Sequence, residues 1–441
     1  MGVSALDTKR QLVLDYYLGG LLHILAKPFV IALGVLLGRD HDLSRCSTIT
    51  LLKLKGAGSL AIAYPALLAL RQRPSTRLRL VTTPAVHGFA QAMGVFDEII
   101  LIDDSSIAGI AAGSVRAILR LFRTDALIDL EVHSRLTTVF SLLTCARNRL
   151  GFYTQISFWR KGLSTHLLFC NLSTGVYHFY DQIAALFGCP VAPFETCVSE
   201  FRRRVSALSA GEPLSARRGG RWIGLSPCCS GLGRERMLKP LEWANILDRS
   251  EPAGCEITLH ALGGKSDRSY IDEVFAALRN RRPDIACQNH AGSLTAAESL
   301  GLMSRLNEIY CIDSAIIHFA RLLGVNTTSF WGPTNPATRL RPSSQSTDRV
   351  FYSALPCSPC VHLGYESPCH GQNVCMRKAA DATARVANPV WLVQENLAPS
   401  LQALSIMVSA ERRGPAGRTT ESSAGLSKDE AFTPASVRAP E

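Results

Sequence analysis

The sequence predicts an α/β protein built from two doubly wound, Rossmann-like domains. Three observations point there: a length of 441 residues, short apolar β-rich runs alternating with helical patterns, and a polar arginine-rich stretch dividing two such series. A chain this long exceeds one ordinary core and accommodates two domains of about 150–200 residues with extensions. The strand runs are apolar throughout, not alternating, as expected when a parallel sheet is covered on both faces.

In the first series, residues 49–54 (ITLLKL) read as a buried strand, followed by the turn Lys55-Gly56-Ala57-Gly58 and a helix over 59–69. Residues 78–83 (LRLVTT), 98–103 (EIILID) and 126–131 (ALIDLE) are further strands, with a helix near 86–93. After the arginine-rich stretch 201–221 come strands at 222–227, 256–262, 285–292, 308–313 and 326–332, with helices between them at 270–279 and 296–304. The expected organisation is an apolar leader over 1–45, a first domain over 46–210, a second over 211–410, and a tail over 411–441. That tail, rich in Gly, Ser, Thr, Pro and charge, is expected to be disordered. No repeat of 20–50 residues is visible, which excludes solenoids and propellers.

The leader contains LGGLLHILAKPFVIALGVLL at 18–37, long and apolar enough to raise the question of a membrane span. Lys27-Pro28 at its centre argues otherwise, because a charge at the bilayer midplane costs at least ~2.5 kcal/mol and proline breaks a helix. Two short interfacial helices or a hairpin fit better, with a soluble packing pair as the plainer reading. Asp7, Lys9 and Arg10 near the start, with no persuasive cleavage site, do not read as a secretory signal.

Forty-seven basic against 36 acidic residues leave a net charge of +11, which implies an acidic partner. The basic residues come in clusters such as Arg202-Arg203-Arg204, without aromatic interleaving or a reading motif, so nucleic acid is not the expected partner. A phosphorylated substrate and an anionic membrane surface stay open. Most of the fourteen cysteines sit singly in apolar runs and read as reduced, buried groups of a cytosolic protein. The exception is Cys357, Cys360, Cys369 and Cys375, which open with a C-x-x-C in a Pro- and Gly-rich loop. Their spacing suits a structural zinc or iron held by four thiolates, with His362 and His370 as substitute ligands; disulfides and free thiols are the alternatives.

Doubly wound sheets bind ligands at the carboxyl ends of their strands. The strand at 308–313 ends in Asp313-Ser314 at the start of a helix over 315–323, whose free amides form an anion site. His318 lies one turn further on the same side, and the next strand closes with Trp331-Gly332-Pro333-Thr334, placing Gly332 and Thr334 beside the same pocket. Taken singly, an Asp-Ser pair is a cap and a helical histidine is structural; the combination points to a phosphate site.

At this point the sequence resembles glycosyltransferase family 9, whose best-known members are the ADP-heptose lipopolysaccharide heptosyltransferases. The resemblance runs from about residue 49 to 386 and is carried by KLKGAGSLAIAYPALLALR (53–71), DALIDLEVHSR (125–135), RLGF (149–152), IGLSP (223–227), the long segment 291–336 and LPCSPC (355–360). It implies a GT-B architecture, inverting transfer from a nucleotide-sugar donor (ADP-heptose by analogy), and no catalytic metal. The acceptor would be a glycolipid or other surface-glycan precursor at the cytoplasmic face of the inner membrane. It also implies donor contacts from Asp313, Ser314 and His318, and from Ser230, Arg236 and Lys239 within SPCCSGLGRERMLKPLEW (226–243), where the family's usual PGAS reads PCCS.

The first domain should hold the acceptor, with Gly58, Arg135 and Arg149 as candidate contacts, the two arginines for a phosphorylated or acidic acceptor; pairing of those arginines with surface carboxylates is the plainer reading. Here the chain departs from the family: GDVLLATP becomes GSLAIAYP, so Ser59 stands where the family carries its aspartate base. A lone serine hydroxyl does not accept a proton near neutral pH. Glu131, at the end of its strand, is the nearest substitute, with Asp129, His133, Asp103 and Asp104 as further candidates. A non-catalytic nucleotide-sugar binder or assembly protein is the alternative function.

Overall fold

The computed structural model describes residues 8–37, 41–171, 173–209, 220–229, 233–343, 347–361, 369 and 372–382. Helix α1 (Thr8–Leu37) precedes a first series: β1 (Thr48–Leu52), α2 (Ala57–Gln72), β2 (Arg77–Thr82), α3 (Pro84–Met93), β3 (Glu98–Leu101), α4 (Ile107–Arg120), β4 (Ala126–Asp129), α5 (Arg135–Leu143), β5 (Asn148–Tyr153) and β6 (His166–Phe169). Two helices, α6 (Tyr177–Leu186) and α7 (Phe194–Ser209), lead to the second: β7 (Arg221–Ser226), α8 (Pro240–Ser250), β8 (Ile257–Ala261), α9 (Arg268–Arg279), β9 (Ile285–Asn289), α10 (Ala296–Met303), β10 (Glu308–Ile312), α11 (Ala315–Leu322), β11 (Asn326–Trp331), the single turn α12 (Pro336–Arg339), β12 (Asp348–Tyr352) and α13 (Val374–Ala382).

The strands form two six-stranded parallel sheets, ordered β3-β2-β1-β4-β5-β6 and β12-β11-β10-β7-β8-β9. Each is the predicted doubly wound sheet, and the orders place a switch point between β1 and β4 in one and between β7 and β10 in the other. Central strands are buried along their length: β4 and β10 expose nothing, and Leu51 of β1 pairs with both Leu80 and Ile128. Gly224 is required in β7, since a Cβ there would lie 2.7 Å from Leu306.

The two halves share a core. Phe319 of α11 stacks on Phe89 of α3 (4.7 Å between centroids) and on Phe201 of α7 (6.1 Å). Arg341 donates both terminal nitrogens to the buried Asp181 of α6 at 2.8 and 2.6 Å, and the Val176 amide donates to the Thr338 carbonyl at 2.8 Å.

The leader differs from expectation. It is one unbroken helix, α1, with Pro28 inside it, where two short helices or a hairpin were expected. Proline removes one backbone hydrogen bond, but the turns around it are held from outside: Lys27 and Ile31 pack on Gly162, and His23 is buried against Trp159. The tail over 411–441 lies outside the described residues.

Candidate active site

The second sheet's switch point brings the ends of β7 and β10 together. Ser314 is the N-cap residue of α11, but its hydroxyl makes no capping bond and is buried without a partner. Beside it the buried Asp313 carboxylate lies 3.3 Å from Arg236 Nη1, which also donates to the Asp313 carbonyl at 2.7 Å. Burial pulls the Asp313 carboxyl upward, but Arg236, then His318 and Arg339 and Thr334, outweigh it and hold the group below its ordinary range. His318 Nε2 is 3.9 Å from Asp313 Oδ1, and burial pushes the imidazole down to about 4. It is therefore neutral near pH 7, a hydrogen-bond partner and not a counter-ion, so the depression of Asp313 rests chiefly on the arginines.

Two further polar atoms here have no partner. Thr334 lies next to Asp313, yet no hydrogen bond of ordinary geometry satisfies its buried Oγ1, and Arg339 Nε is likewise buried and unpaired. Leaving such a group buried costs about 1–3 kcal/mol. Three of them around one arginine-bound carboxylate, at the free amides of a helix start, leave hydrogen-bonding capacity of the kind that suits an anion.

Ser314 joins this cluster to a cavity of about 670 Å³, within the range of small-ligand sites, whose lining also includes Ser226, Cys229, Arg234 and Gly263 together with Phe89 from the first half. Cys228 and Cys229, in place of the usual glycine and alanine, are neutral thiols: burial pushes them up to about 12 and 11, and Cys229 donates to the Gly233 carbonyl at 2.9 Å.

The first half meets this site directly. A Cβ on Gly58 would lie 3.0 Å from Ala315 Cα and 3.1 Å from His318 Cδ2, so only glycine lets the first turn of α2 lie against the first turn of α11. The residue after it is the half-buried Ser59. Its side chain bonds the buried Tyr180 of α6, which lies within electrostatic reach of Lys53 and Glu131. Glu131 Oε2 accepts from Lys53 Nζ at 3.0 Å, and Oε1 accepts from the amides of Leu54 and Lys55 at 2.8 and 3.1 Å. Burial would raise this carboxyl, but Lys53 and those amides outweigh it and hold it below its ordinary range.

The structure thus brings Gly58, Ser59, Arg236, Asp313, Ser314, His318 and Thr334 to one place, with Glu131 one step behind. Other predicted residues lie elsewhere. Arg135 is sandwiched between the rings of Tyr16 (4.1 Å) and Trp159 (4.8 Å) and donates to the Tyr16 carbonyl, which ties α1 down. Arg149 donates to the carbonyls of Leu163 and Ala146. Asp129 is buried in an ion pair with Arg160 at 2.8 Å, and burial raises it to about 6. Asp103 accepts from the Ser105 amide in its own turn. Lys239 is exposed at the start of α8, away from the cavity lining. Gly332 is needed for packing, since a Cβ there would lie 2.5 Å from Cys375 Sγ. Ser230 lies outside the described residues.

Cys357, Cys360, Cys369 and Cys375 are free thiols, and charge on one is felt by its neighbours in the loop. Among the described residues no three His, Cys, Asp or Glu side chains are gathered closely enough to hold a metal ion, and most of the loop between Cys360 and Cys375 lies outside those residues. His362 and His370 lie outside the described residues. Sequence reasoning missed Tyr180, Lys53, Arg234 and Arg339. Arg339 stands within three residues of the quoted NP motif and was the more legible; Tyr180 reaches Ser59 from a helix 120 positions away.

Two doubly wound sheets, with a cluster of unpaired buried polar atoms at one switch point and a close approach at Gly58 from the other half, define a GT-B-like α/β fold. Residues 196–369 match the family model described as glycosyltransferase family 9 (heptosyltransferase). Similar solved structures include Escherichia coli ADP-heptose lps heptosyltransferase II, at 16% identity and TM-score 0.54, covering 76% of this chain and 96% of that one. Another is E. coli heptosyltransferase WaaC with ADP-2-deoxy-2-fluoro heptose, at 12% identity and TM-score 0.52, covering 68% and 92%. A third is the glycosyl transferase family 9 protein from Veillonella parvula DSM 2008, at 17% identity and TM-score 0.50, covering 69% and 85%. At such identities the likeness is one of fold. No curated protein matches the sequence.

Proposed function

We propose that the protein is an inverting glycosyltransferase that moves a sugar, heptose by the resemblance, from a nucleoside diphosphate donor to a hydroxyl of a lipopolysaccharide or other surface-glycan precursor. In this reading residues 211–410 hold the donor and 46–210 the acceptor. The observation that carries it is the set of unpaired buried polar atoms of Ser314, Thr334 and Arg339 around the Arg236–Asp313 pair, with Gly58 and Ser59 abutting it. The related structures are described with ADP and with an ADP-heptose analogue, which supports a nucleotide-sugar donor.

The acceptor oxygen attacks the anomeric carbon as the bond to the diphosphate oxygen breaks, and the bonding pair leaves on phosphate. Arg236, Arg339 and the first amides of α11 stabilise that growing charge more in the transition state than in the ground state. Neutral His318 donates a hydrogen bond at the same phosphate. These groups supply the positive charge, so the reading calls for no catalytic metal. On the acceptor side, Ser59 orients the hydroxyl and its proton leaves toward Glu131, which Lys53 and Tyr180 connect to Ser59. The work takes place at the cytoplasmic face of the membrane, with α1 as the contact.

A second reading, a nucleotide-sugar binder without turnover, is favoured by Ser59 in the aspartate's place and by Glu131's three existing partners. Release of free nucleotide from a donor panel with acceptor present separates the two. His318→Ala should weaken donor use by about tenfold, a lost hydrogen bond to a charged group, with unchanged thermal unfolding; unaltered kinetics would refute the assignment.

A further inference from the structure

We propose that α1, α4 and the end of α5 form one docking surface for an anionic lipid bilayer, with α1 lying in the plane of the interface and α4 as an independent second contact. This extends the reading of a membrane-borne acceptor but stands on other observations. Helix α4 buries Gly113 and Ala117 fully, Ile110 and Ile118 in part and Leu121 at its C-cap, yet leaves Ile107, Val115 and Leu119 exposed, as is Phe122 just after it. Residues 115, 119 and 122 share one face, so beside the face packed on the domain this helix turns a second apolar stripe to solvent.

The pattern is regional. Among the described residues, every exposed large apolar side chain except Leu208 and Leu241 lies at or before Phe169. They occupy α1, α4, Leu143 at the end of α5 and Phe158 beside Trp159, and α5 packs against both other helices. Arg116 on α4 and Arg123 just after it are exposed among these apolar groups, while Arg120 is ion-paired with Glu98. A mixed apolar and basic face matches an anionic bilayer, where each cation near the surface adds attraction and the apolar groups enter the headgroup boundary.

The packing of α1 decides how it lies. Asp15 accepts from Ser134 Oγ and from the amides of Arg135 and Leu136, capping α5 from another helix. Gly19 and Gly20 then lie against Arg135, His23 against Trp159, and Lys27 and Ile31 against Gly162. From 15 to 31 the helix is tied lengthwise to the domain over about 24 Å, at 1.5 Å per residue. The segment Val13–Leu36 is apolar and long enough to cross a bilayer, but a helix fastened along its domain in this way lies on the surface beside α4.

The test is cosedimentation of the full chain with vesicles of phosphatidylcholine alone and with a quarter phosphatidylglycerol, without donor or acceptor, so that it is independent of turnover. The wild type should sediment with the anionic vesicles, weaken as salt is raised, and be released by alkaline carbonate. Leu119→Glu with Phe122→Glu should lower binding at least about tenfold, given ~0.8 kcal/mol per buried methylene, while thermal unfolding stays as in the wild type. Arg116→Gln should lower it about fivefold, at ~1 kcal/mol per surface cation. Undiminished binding by the α4 variant, carbonate resistance (a true span), or a dimer in light scattering that the α4 variant dissolves would each overturn the proposal. Vesicle binding without nucleotide release would instead sink the transferase reading alone.

Discussion

The two sides of the cleft use their polar groups in opposite ways. Around Asp313 the Oγ atoms of Ser314 and Thr334 and Nε of Arg339 are buried and unpaired. Around Glu131 the carboxylate already has Lys53 and two amides, Asp129 has Arg160 and Thr137, and Arg135 has two rings and a carbonyl. An orphaned buried group costs stability; the cluster at the start of α11 keeps hydrogen-bonding capacity free, whereas the groups named around Glu131 have theirs already engaged. The difference teaches that Glu131 first serves to hold the loop from Lys53 to Ser59 in place, and that its part in proton transfer is exercised from within that clamp.

Breaking the clamp is the strongest way to test this contrast. Glu131→Gln leaves the buried Lys53 ammonium without its counter-charge, and removing one partner of a buried pair costs about 3–5 kcal/mol. Urea unfolding should show that loss, and turnover should fall with it, while donor affinity of the folded fraction stays the same. Unchanged stability would mean that Glu131 is not a structural anchor.

Gly58→Ala should act at the seam between the sides. The added methyl meets backbone at 3.0 Å and the His318 ring at 3.1 Å, an overpacking worth about 1–3 kcal/mol. It should impair turnover more than ADP affinity, measured by steady-state kinetics beside titration; equal effects on both would place Gly58 within the donor site itself.

A test of a different kind lies in pH dependence. His23, His166, His260 and His318 are each pushed down to about 4 by burial. Unfolded histidines take up protons near 6.5 while these native ones do not until about 4, so stability falls as pH drops across that window. Asp129, raised to about 6, works the other way as a single group. The urea midpoint should therefore be lower at pH 5 than at pH 7; a midpoint that rises would show the histidines to be protonated in the native state.

Much of the fold was legible because parallel strands advertise themselves as apolar runs: β1, β2, β3, β4 and β7 to β11 all lie within the expected segments to a residue or so. The strands β5 (NRLGFY), β6 and β12 (DRVFY) were not, since short strands toward a sheet's edge carry arginine, glycine and histidine without losing their place. Pro28 misled because local propensity was weighed without the tertiary contacts that hold α1 together. In the site, Asp313, Ser314 and His318 could be read from one contiguous segment. Tyr180 could not, because its meeting with Ser59 is a product of topology, as is that of Lys53 with Glu131.

The central claim is that the cluster at the start of α11 is a nucleoside diphosphate site. Calorimetric titration with ADP, UDP and GDP of the wild type and of the double variant Ser314→Ala, Thr334→Val tests it most directly. The account predicts saturable binding of one nucleotide, weakened about tenfold or more in the variant by the loss of two hydrogen bonds, whose own stability should hold or rise because two orphaned hydroxyls are gone. Absence of saturable binding by any of the three, or equal affinity in the variant, would contradict it.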